Sequence, residues 1–177
     1  DDDEFAQSVR WQTRIAWLTP VVIVGVGALG TVSADALCRA GVGTITIIDR
    51  DTVDRTNLQR QLLFTEAHAE AGAAKAVAAA EQLAAINSGV SIRPHVADAR
   101  PGNIGRLLGL ATRDGDEQPG PPDVLIDGTD NFATRLLLND VAVKHGVPYI
   151  YAGAIATRGM LMTVLPKGHV GKTFSEH

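Results

Sequence analysis

Short runs of aliphatic and β-branched residues alternate along the chain with longer stretches in which apolar positions recur at helical spacing. The short runs have the length and the Val, Ile and Thr content that are typical of buried strands. They predict six strands, over Val21–Val24, Thr44–Ile48, Val90–Val96, Val124–Ile126, Val147–Tyr151 and Gly159–Leu165.

Three longer stretches predict helices. The first covers Ala28–Ala40, the second is the alanine-rich Ala73–Ile86, and the third follows the Thr-Asp-Asn run 129–131 and ends at His145. This alternation predicts an α/β chain with a Rossmann-like three-layer fold, in which helices cover both faces of a mostly parallel central sheet. Ligands of such sheets bind at the carboxyl ends of the strands.

Composition limits the classes of protein to consider. The 177 residues contain 45% hydrophobic positions, enough for one domain over residues 21–166 between an amino-terminal arm (1–20) and a tail (167–177). The formal charge of -4 gives no basic field for nucleic acid, and no apolar run approaches the roughly 20 residues of a membrane span. A single cysteine, Cys38, forms no disulfide framework, so we expect a soluble cytoplasmic protein.

A glycine-rich turn follows the first strand and opens the first helix. Its GxGxxG spacing places Gly25 at the tight turn, Gly27 where a phosphate approaches the backbone, and Gly30 where the helix packs closely. The N–H groups near Ala28 then face the phosphate. Asp49, at the end of the second strand, is placed to accept the ribose hydroxyls, and these features together are typical of dinucleotide-dependent dehydrogenases.

The block Asn57–Gln61 argues against a dehydrogenase. It adds amides and a guanidinium just after Asp49, where an enzyme that cleaves a triphosphate needs cationic groups. Arg60 and Lys75 both lie on segments that return over the carboxyl ends of the strands, and this pair suits nucleotidyl transfer. Lys75 taken alone is equally typical of a solvent-facing lysine on an alanine-rich helix.

Asp130 follows the fourth strand and is a candidate ligand for Mg²⁺, which prefers one or two carboxylates plus phosphate oxygens. The same position is also typical of a helix amino-terminal cap. Asp51 and Asp54 are interpreted as solvated turn carboxylates.

The ordered segments GVGALG, IIDRDTVDRTNLQRQ, Lys75 and IDGTDN resemble the adenylation domain of the ubiquitin-activating-enzyme-like superfamily, in particular the HesA/MoeB/ThiF family. The resemblance runs from about Val21 to Pro166. It implies a cytoplasmic, homodimeric adenylyltransferase that uses ATP and Mg²⁺ to activate the C-terminal glycine carboxylate of a small ubiquitin-like sulfur carrier of the ThiS or MoaD type. Pyrophosphate is released, and the sulfur serves thiamine or molybdopterin synthesis.

The resemblance also implies roles for individual positions. Asp49 would hold the ribose, Lys75 would stabilise charge on the α-phosphate, and Asp130 would bind Mg²⁺ with Asn131 nearby. The backbone of the glycine turn around Ala28 would approach the phosphates, and the triphosphate would be lined by Thr56, Asn57, Leu58, Gln59 and Arg60.

Members of the resembled family also send an arginine from the amino-terminal arm into the partner's site. Arg14 is the preferred candidate here and Arg10 the alternative, although a plain surface arginine fits equally well. The family's zinc-binding CxxC pairs and reactive cysteine have no counterpart, because Cys38 is the sole cysteine and is interpreted as a core thiol. Zinc is therefore not supported in this chain.

Two alternatives to the adenylyltransferase stay open. One is an NAD-dependent oxidoreductase on the same nucleotide-binding fold, and the other is a truncated, non-catalytic dimerising copy. The sequence does not distinguish between carriers or pathways.

Overall fold

A computed structural model of the chain describes residues 19–110 and 120–166. The strands within these ranges are β1 (Pro20–Val24), β2 (Thr44–Ile48), β3 (Ser91–His95), β4 (Val124–Asp127), β5 (Tyr149–Ile155) and β6 (Arg158–Val164). The α-helices are α1 (Ala28–Ala40), α2 (Glu66–Glu70), α3 (Lys75–Ile86), α4 (Ile104–Leu107) and α5 (Phe132–His145), and Arg55–Asn57 forms one 3-10 turn.

The six strands form one sheet in the order β3-β2-β1-β4-β5-β6. Every neighbouring pair is parallel except β5 and β6, which form an antiparallel hairpin at one edge. The mostly parallel sheet is thereby confirmed. The strand order reverses at β1 and β4, so the crevice outside their carboxyl ends is the position where sheets of this kind bind ligands.

Helices cover both faces of the sheet, which confirms the three-layer prediction. Val21 and Ile23 of β1 pack in the core that contains α1 and α3, and Val22 and Val24 pack in the core that contains α4 and α5. Successive side chains of a strand point to opposite faces, so a strand buried on both sides is apolar throughout. This is why β1 has no alternation of polar and apolar residues.

Local signals fixed most of the element boundaries. The bounds of α1 and β2 match the prediction, and α5 ends at His145 as expected, with the left-handed Gly146 after it. β5 extends to Ile155 because its whole length pairs with β6. The short helices α2 and α4 were not predicted. The tail and nearly all of the arm lie outside the described residues.

Cys38 is a buried core thiol, as predicted. Its Sγ donates to the carbonyl oxygen of Leu83 at 3.3 Å, and burial raises the pKa of the thiol. Within the described residues, no helix combines the length and the apolar content that crossing a bilayer requires.

Candidate functional site

Three glycines pack backbone against backbone where β1 and β4 end. Gly25 has a φ of +86°, which favours glycine, and a Cβ there would lie 2.8 Å from the carbonyl of Gly128. A Cβ on Gly30 or on Gly128 would collide with the carbonyl oxygen of Gly25. Gly128 was not predicted as part of this turn, because its role depends on a strand that is distant in sequence.

Gly27 is different, since its φ of −85° is negative and a Cβ there would not collide with the backbone of the other glycines. It caps α1, and α1 has neither a side-chain cap nor an acidic residue in its first turn. The first N–H groups of a helix lack intrahelical partners and carry the positive end of its dipole. The helix amino terminus at Ala28 is therefore suited to an anion.

Asp49 is half-buried beside this turn, and both of its carboxylate oxygens are engaged. Oδ2 accepts from the backbone N–H of Val26 at 2.8 Å, and Oδ1 accepts from that of Asp51 at 2.8 Å. Burial raises the pKa of Asp49, while the two backbone N–H groups and the charge of Lys75 oppose that shift. Each carboxylate oxygen keeps lone-pair capacity for a further donor, so the group remains able to accept hydroxyl protons.

Lys75 is the first residue of α3, and its side chain is buried, so the solvent-facing interpretation is wrong. It is 7% exposed, and its Nζ lies 3.3 Å from Oδ2 of Asp51. Its backbone N–H also donates to the carbonyl oxygen of Asp51 at 2.8 Å. Asp51 was interpreted as a solvated turn carboxylate, and it is indeed exposed, but it forms an ion pair with the buried lysine.

The predicted block Asn57–Gln61 begins in the 3-10 turn. Asp54 caps this turn, and Oδ1 of Asn57 accepts from the N–H of Asp54 at 3.2 Å, so Asn57 is engaged in a reciprocal capping box. The side chains of Gln59 and Arg60 both donate to the carbonyl oxygen of Thr56, at 3.2 Å and 3.0 Å. Both are exposed, and in the described residues neither forms a hydrogen bond or an ion pair with Asp49 or Lys75.

Gln61 is the one member of the block that is buried. It is 4% exposed, and a Cβ on Gly27 would lie 3.8 Å from its Nε2. Oε1 of Gln61 is buried without a hydrogen-bond partner. In the sequence, Gln61 ends the polar block Asn57–Gln61, and no local signal marks it as buried.

The loop between β4 and α5 rests on a buried charged network. Asp127 is fully buried and accepts from the Tyr149 hydroxyl at 2.6 Å, from the N–H of Thr129 at 2.8 Å and from Nε of Arg135 at 3.2 Å. Burial, and secondarily the bond to Asp127, raises the pKa of Tyr149. The network fixes the backbone immediately before Asp130.

Asp130 itself is exposed, and within the described residues its carboxylate has no hydrogen bond or ion pair. Asn131 is the cap of α5, since its Oδ1 accepts from the N–H of Thr134 at 2.9 Å. The described residues hold no group of three or more His, Cys, Asp or Glu side chains arranged for a metal ion. One carboxylate would fit a cation that takes its other ligands from phosphate and water.

A cavity of about 370 Å³ opens between the segment after β3 and the start of α5. Asp98 stands at its rim and accepts from Arg50 at 3.0 Å and from Arg100 at 2.7 Å, and the bond from Arg100 is the main reason why its pKa is lowered. Asp98, Arg50 and Arg100 were not predicted as residues of the site. The cavity is lined by Arg50, Asp98, Ala99, Arg100, Pro101, Asn131, Ala133, Thr134 and Leu137.

The described residues thus bring together the glycine turn, Asp49, Lys75 and Gln61 at the carboxyl ends of the strands. Arg60, Gln59 and Asp130 lie on neighbouring loops with exposed side chains. The predicted arm arginines, Arg10 and Arg14, lie outside the described residues.

Comparisons with known proteins agree with this architecture. The model of the ThiF family matches residues 8–175. The chain is 44% identical over 145 residues to the sulfur carrier protein ThiS adenylyltransferase of Bacillus subtilis, covering 82% of this chain and 40% of that protein. It is 34% identical over 148 residues to the SAMP-activating enzyme E1 of Haloferax volcanii, covering 84% of this chain and 50% of that protein.

Among solved structures, the crystal structure of E. coli MccB with ATP has a TM-score of 0.74 at 24% identity and shares the fold. That match covers 88% of this chain and 44% of MccB. The chain spans half or less of the length of each of these three proteins. On the family match and these identities, the chain belongs to the ThiF family.

Proposed function

We propose that this chain is the nucleotide-binding part of an ATP-dependent adenylyltransferase that activates the C-terminal glycine carboxylate of a small ubiquitin-like sulfur carrier. The names of the relatives support the reaction class, since one is a ThiS adenylyltransferase and another activates SAMP proteins. ATP is the expected nucleotide, and the reaction would draw on the cytoplasmic ATP pool.

The observation that carries the proposal is the buried position of Lys75. Enclosing an ammonium group is unfavourable unless a negative charge balances it. Asp51 balances it only in part, because Asp51 is exposed and solvent screens its charge; the half-buried Asp49 is the other carboxylate on which the charge of Lys75 acts. A dehydrogenase has no developing phosphate charge for such a lysine to neutralise, whereas nucleotidyl transfer has.

The remaining residues would hold the nucleotide. Asp49 would accept the ribose hydroxyls, and the N–H groups after Gly27 at the start of α1 would bind the phosphates. The cavity beside Asn131 is large enough for part of the nucleoside. Arg60, released from the carbonyl of Thr56, would bind the triphosphate together with the other residues of the segment 56–60.

Asp130 would hold Mg²⁺ with Asn131 nearby, and the ion would neutralise charge on the β- and γ-phosphates. The carboxylate is exposed and has no competing partner in the described residues, which fits that role.

The chemistry requires no covalent intermediate on this chain. A carboxylate oxygen of the carrier attacks the α-phosphorus, the bond from that phosphorus to the bridging oxygen breaks, and pyrophosphate leaves with the electron pair. The protein contributes orientation and charge neutralisation, which are the main sources of catalysis in phosphoryl transfer. Lys75 would stabilise the added negative charge at the α-phosphate.

A homodimer is part of the proposal. Large apolar side chains are exposed on α5 and on the β5–β6 hairpin, including Phe132 at 71% and Leu161 at 74%. Contiguous exposed apolar surface marks interaction sites. An arginine of the arm, Arg14 or else Arg10, would then reach the site of the second copy.

Carrier-dependent exchange between ATP and labelled pyrophosphate tests the function. We expect exchange only when a small ubiquitin-like protein ending in Gly-Gly is present, and none when its terminal glycines are removed. Binding of NAD without binding of ATP would refute the proposal in favour of an oxidoreductase. A folded dimer that binds neither would indicate a non-catalytic copy.

A further inference from the structure

Gln61 and its two neighbours in the chain have opposite environments. Gln61 is 4% exposed, whereas Arg60 and Leu62 are both exposed. Neither polar atom of the Gln61 amide has a hydrogen-bond partner in the described residues, and Oε1 is also shielded from solvent. The Gln61 amide is therefore not committed to any partner within the described fold, although buried polar groups usually have one.

The amide lies beside the glycine turn. Among the described residues other than Gly27 and its chain neighbours, Nε2 of Gln61 is the one heavy atom within 4 Å of the position that a Cβ on Gly27 would occupy. A Cβ on Gly27 would make only an ordinary van der Waals contact with the Gln61 amide, so glycine leaves open space here. That space is bordered by the Gln61 amide and by the amino terminus of α1.

Both borders present hydrogen-bond donors. The first turn of α1 has no side-chain cap and no acidic residue, so its N–H groups favour an anion. An amide nitrogen donates and does not accept, so Nε2 of Gln61 adds a further donor directed at the same space. The Gln59 and Arg60 side chains donate instead to the carbonyl oxygen of Thr56.

We propose that Gln61 is a phosphate-binding residue, whose Nε2 donates a hydrogen bond to a phosphate oxygen of the nucleotide at the amino terminus of α1. This inference rests on the proposed function, because the nucleotide is the ATP of that reaction. The side chain is already buried before the ligand arrives, so binding immobilises little additional side chain. Gln61 therefore acts at the amino terminus of α1, while its neighbour Arg60 must first leave the carbonyl oxygen of Thr56.

Equilibrium binding of ATP, AMP and adenosine to the wild type, Gln61→Leu and Gln61→Glu tests this role. Leucine removes the donor at similar size, and glutamate keeps the shape but presents an oxygen that repels phosphate. We expect Gln61→Leu to weaken ATP binding about tenfold or more, and Gln61→Glu to weaken it further. Binding of adenosine, which has no phosphate, should change less than about twofold.

Gln82→Leu in α3 is the matched control, because it makes the same chemical change at a half-buried position outside the site. It should leave the affinity for all three ligands unchanged. A purely structural role for Gln61 would weaken ATP and adenosine equally, and that result would overturn the inference. Unchanged ATP affinity in both Gln61 variants would also overturn it.

Thermal unfolding identifies a variant that fails to fold, and if Gln61→Leu fails, Gln61→Glu decides alone. A wild-type protein that binds no ATP would overturn the proposed function itself. A wild type that binds ATP while the Gln61 variants bind it equally well would overturn the role of Gln61 alone. The two failures are therefore distinguishable.

Discussion

Two buried charged side chains, Asp127 and Lys75, lie near the carboxyl ends of the strands, and their surroundings differ. Asp127 is fully buried and accepts hydrogen bonds from Tyr149, Thr129 and Arg135. Lys75 is almost as buried, but within the described residues its ammonium has a single ion pair, at 3.3 Å, to an exposed carboxylate. A buried charge with all its partners in place stabilises the fold, whereas one with a single weak partner retains capacity for a ligand. Burial alone does not distinguish these cases.

The largest effect should follow from removing Asp127. Asp127→Ala leaves the guanidinium of Arg135 and the hydroxyl of Tyr149 without their shared acceptor. We expect the free energy of unfolding to fall by about 3–5 kcal/mol, measured by urea denaturation. Asp123→Ala, at the exposed opposite end of β4, is the control and should change it by less than about 0.5 kcal/mol. A loss in Asp127→Ala no larger than in Asp123→Ala would show that the network is not structural.

Lys75→Ala should give the reverse pattern. We expect carrier-dependent pyrophosphate exchange to fall about 10²–10³-fold, because the charge that stabilises the α-phosphate is lost. The melting temperature should be kept or raised, since a poorly paired buried charge is removed. Lys144→Ala, on an exposed position of α5, is the matched control. Full exchange in Lys75→Ala would contradict the assigned role even though the family is correct.

The prediction from sequence was accurate where the signals were local. Helix α1 lies between a glycine turn and Gly41, and α5 has Asn131 as its cap and Gly146 after its last residue, so neighbouring residues determine these bounds. The three-layer fold followed from the strand and helix alternation, since an entirely apolar strand such as β1 must be covered on both faces.

The sequence predicted most of the residues of the site, but it did not predict which of their side chains are buried. Whether Lys75 faces solvent or the sheet depends on Asp51, 24 positions earlier in the chain. Asp127, at the end of an apolar strand, was not predicted as part of a buried network, because its partner Tyr149 lies 22 positions further along the chain. Gln61 is buried by packing against a turn more than 30 positions away, a contact that periodicity does not reveal.

Tyr149→Phe removes one of the hydrogen bonds to Asp127 and should reduce stability less than Asp127→Ala does. Losing the bond to Asp127 should cost about 1.5–3 kcal/mol at neutral pH. The pKa of Tyr149 is raised in the folded state, so the folded protein retains this proton better than the unfolded chain does. The stabilisation is therefore complete below the unfolded pKa of about 10 and is lost as pH rises beyond it. Urea denaturation between neutral and alkaline pH should show this slope in the wild type, and an equal slope in Tyr149→Phe would contradict it.

The smallest effect concerns the weak partner of Lys75. Asp51→Asn keeps the shape of the side chain and removes its charge, so the ammonium loses its orienting partner while the positive charge remains. Because the carboxylate of this pair is exposed while the ammonium is buried, we expect exchange to change by no more than about fivefold and the free energy of unfolding to fall by about 1 kcal/mol. Asp35→Asn, which breaks the exposed pair with Arg39 on α1, is the control and should leave exchange unchanged. A loss in Asp51→Asn as large as in Lys75→Ala would mean that the aspartate is essential to the site. The contrast between the two charges would then fail, because Lys75 would depend on its partner as fully as Asp127 depends on its own.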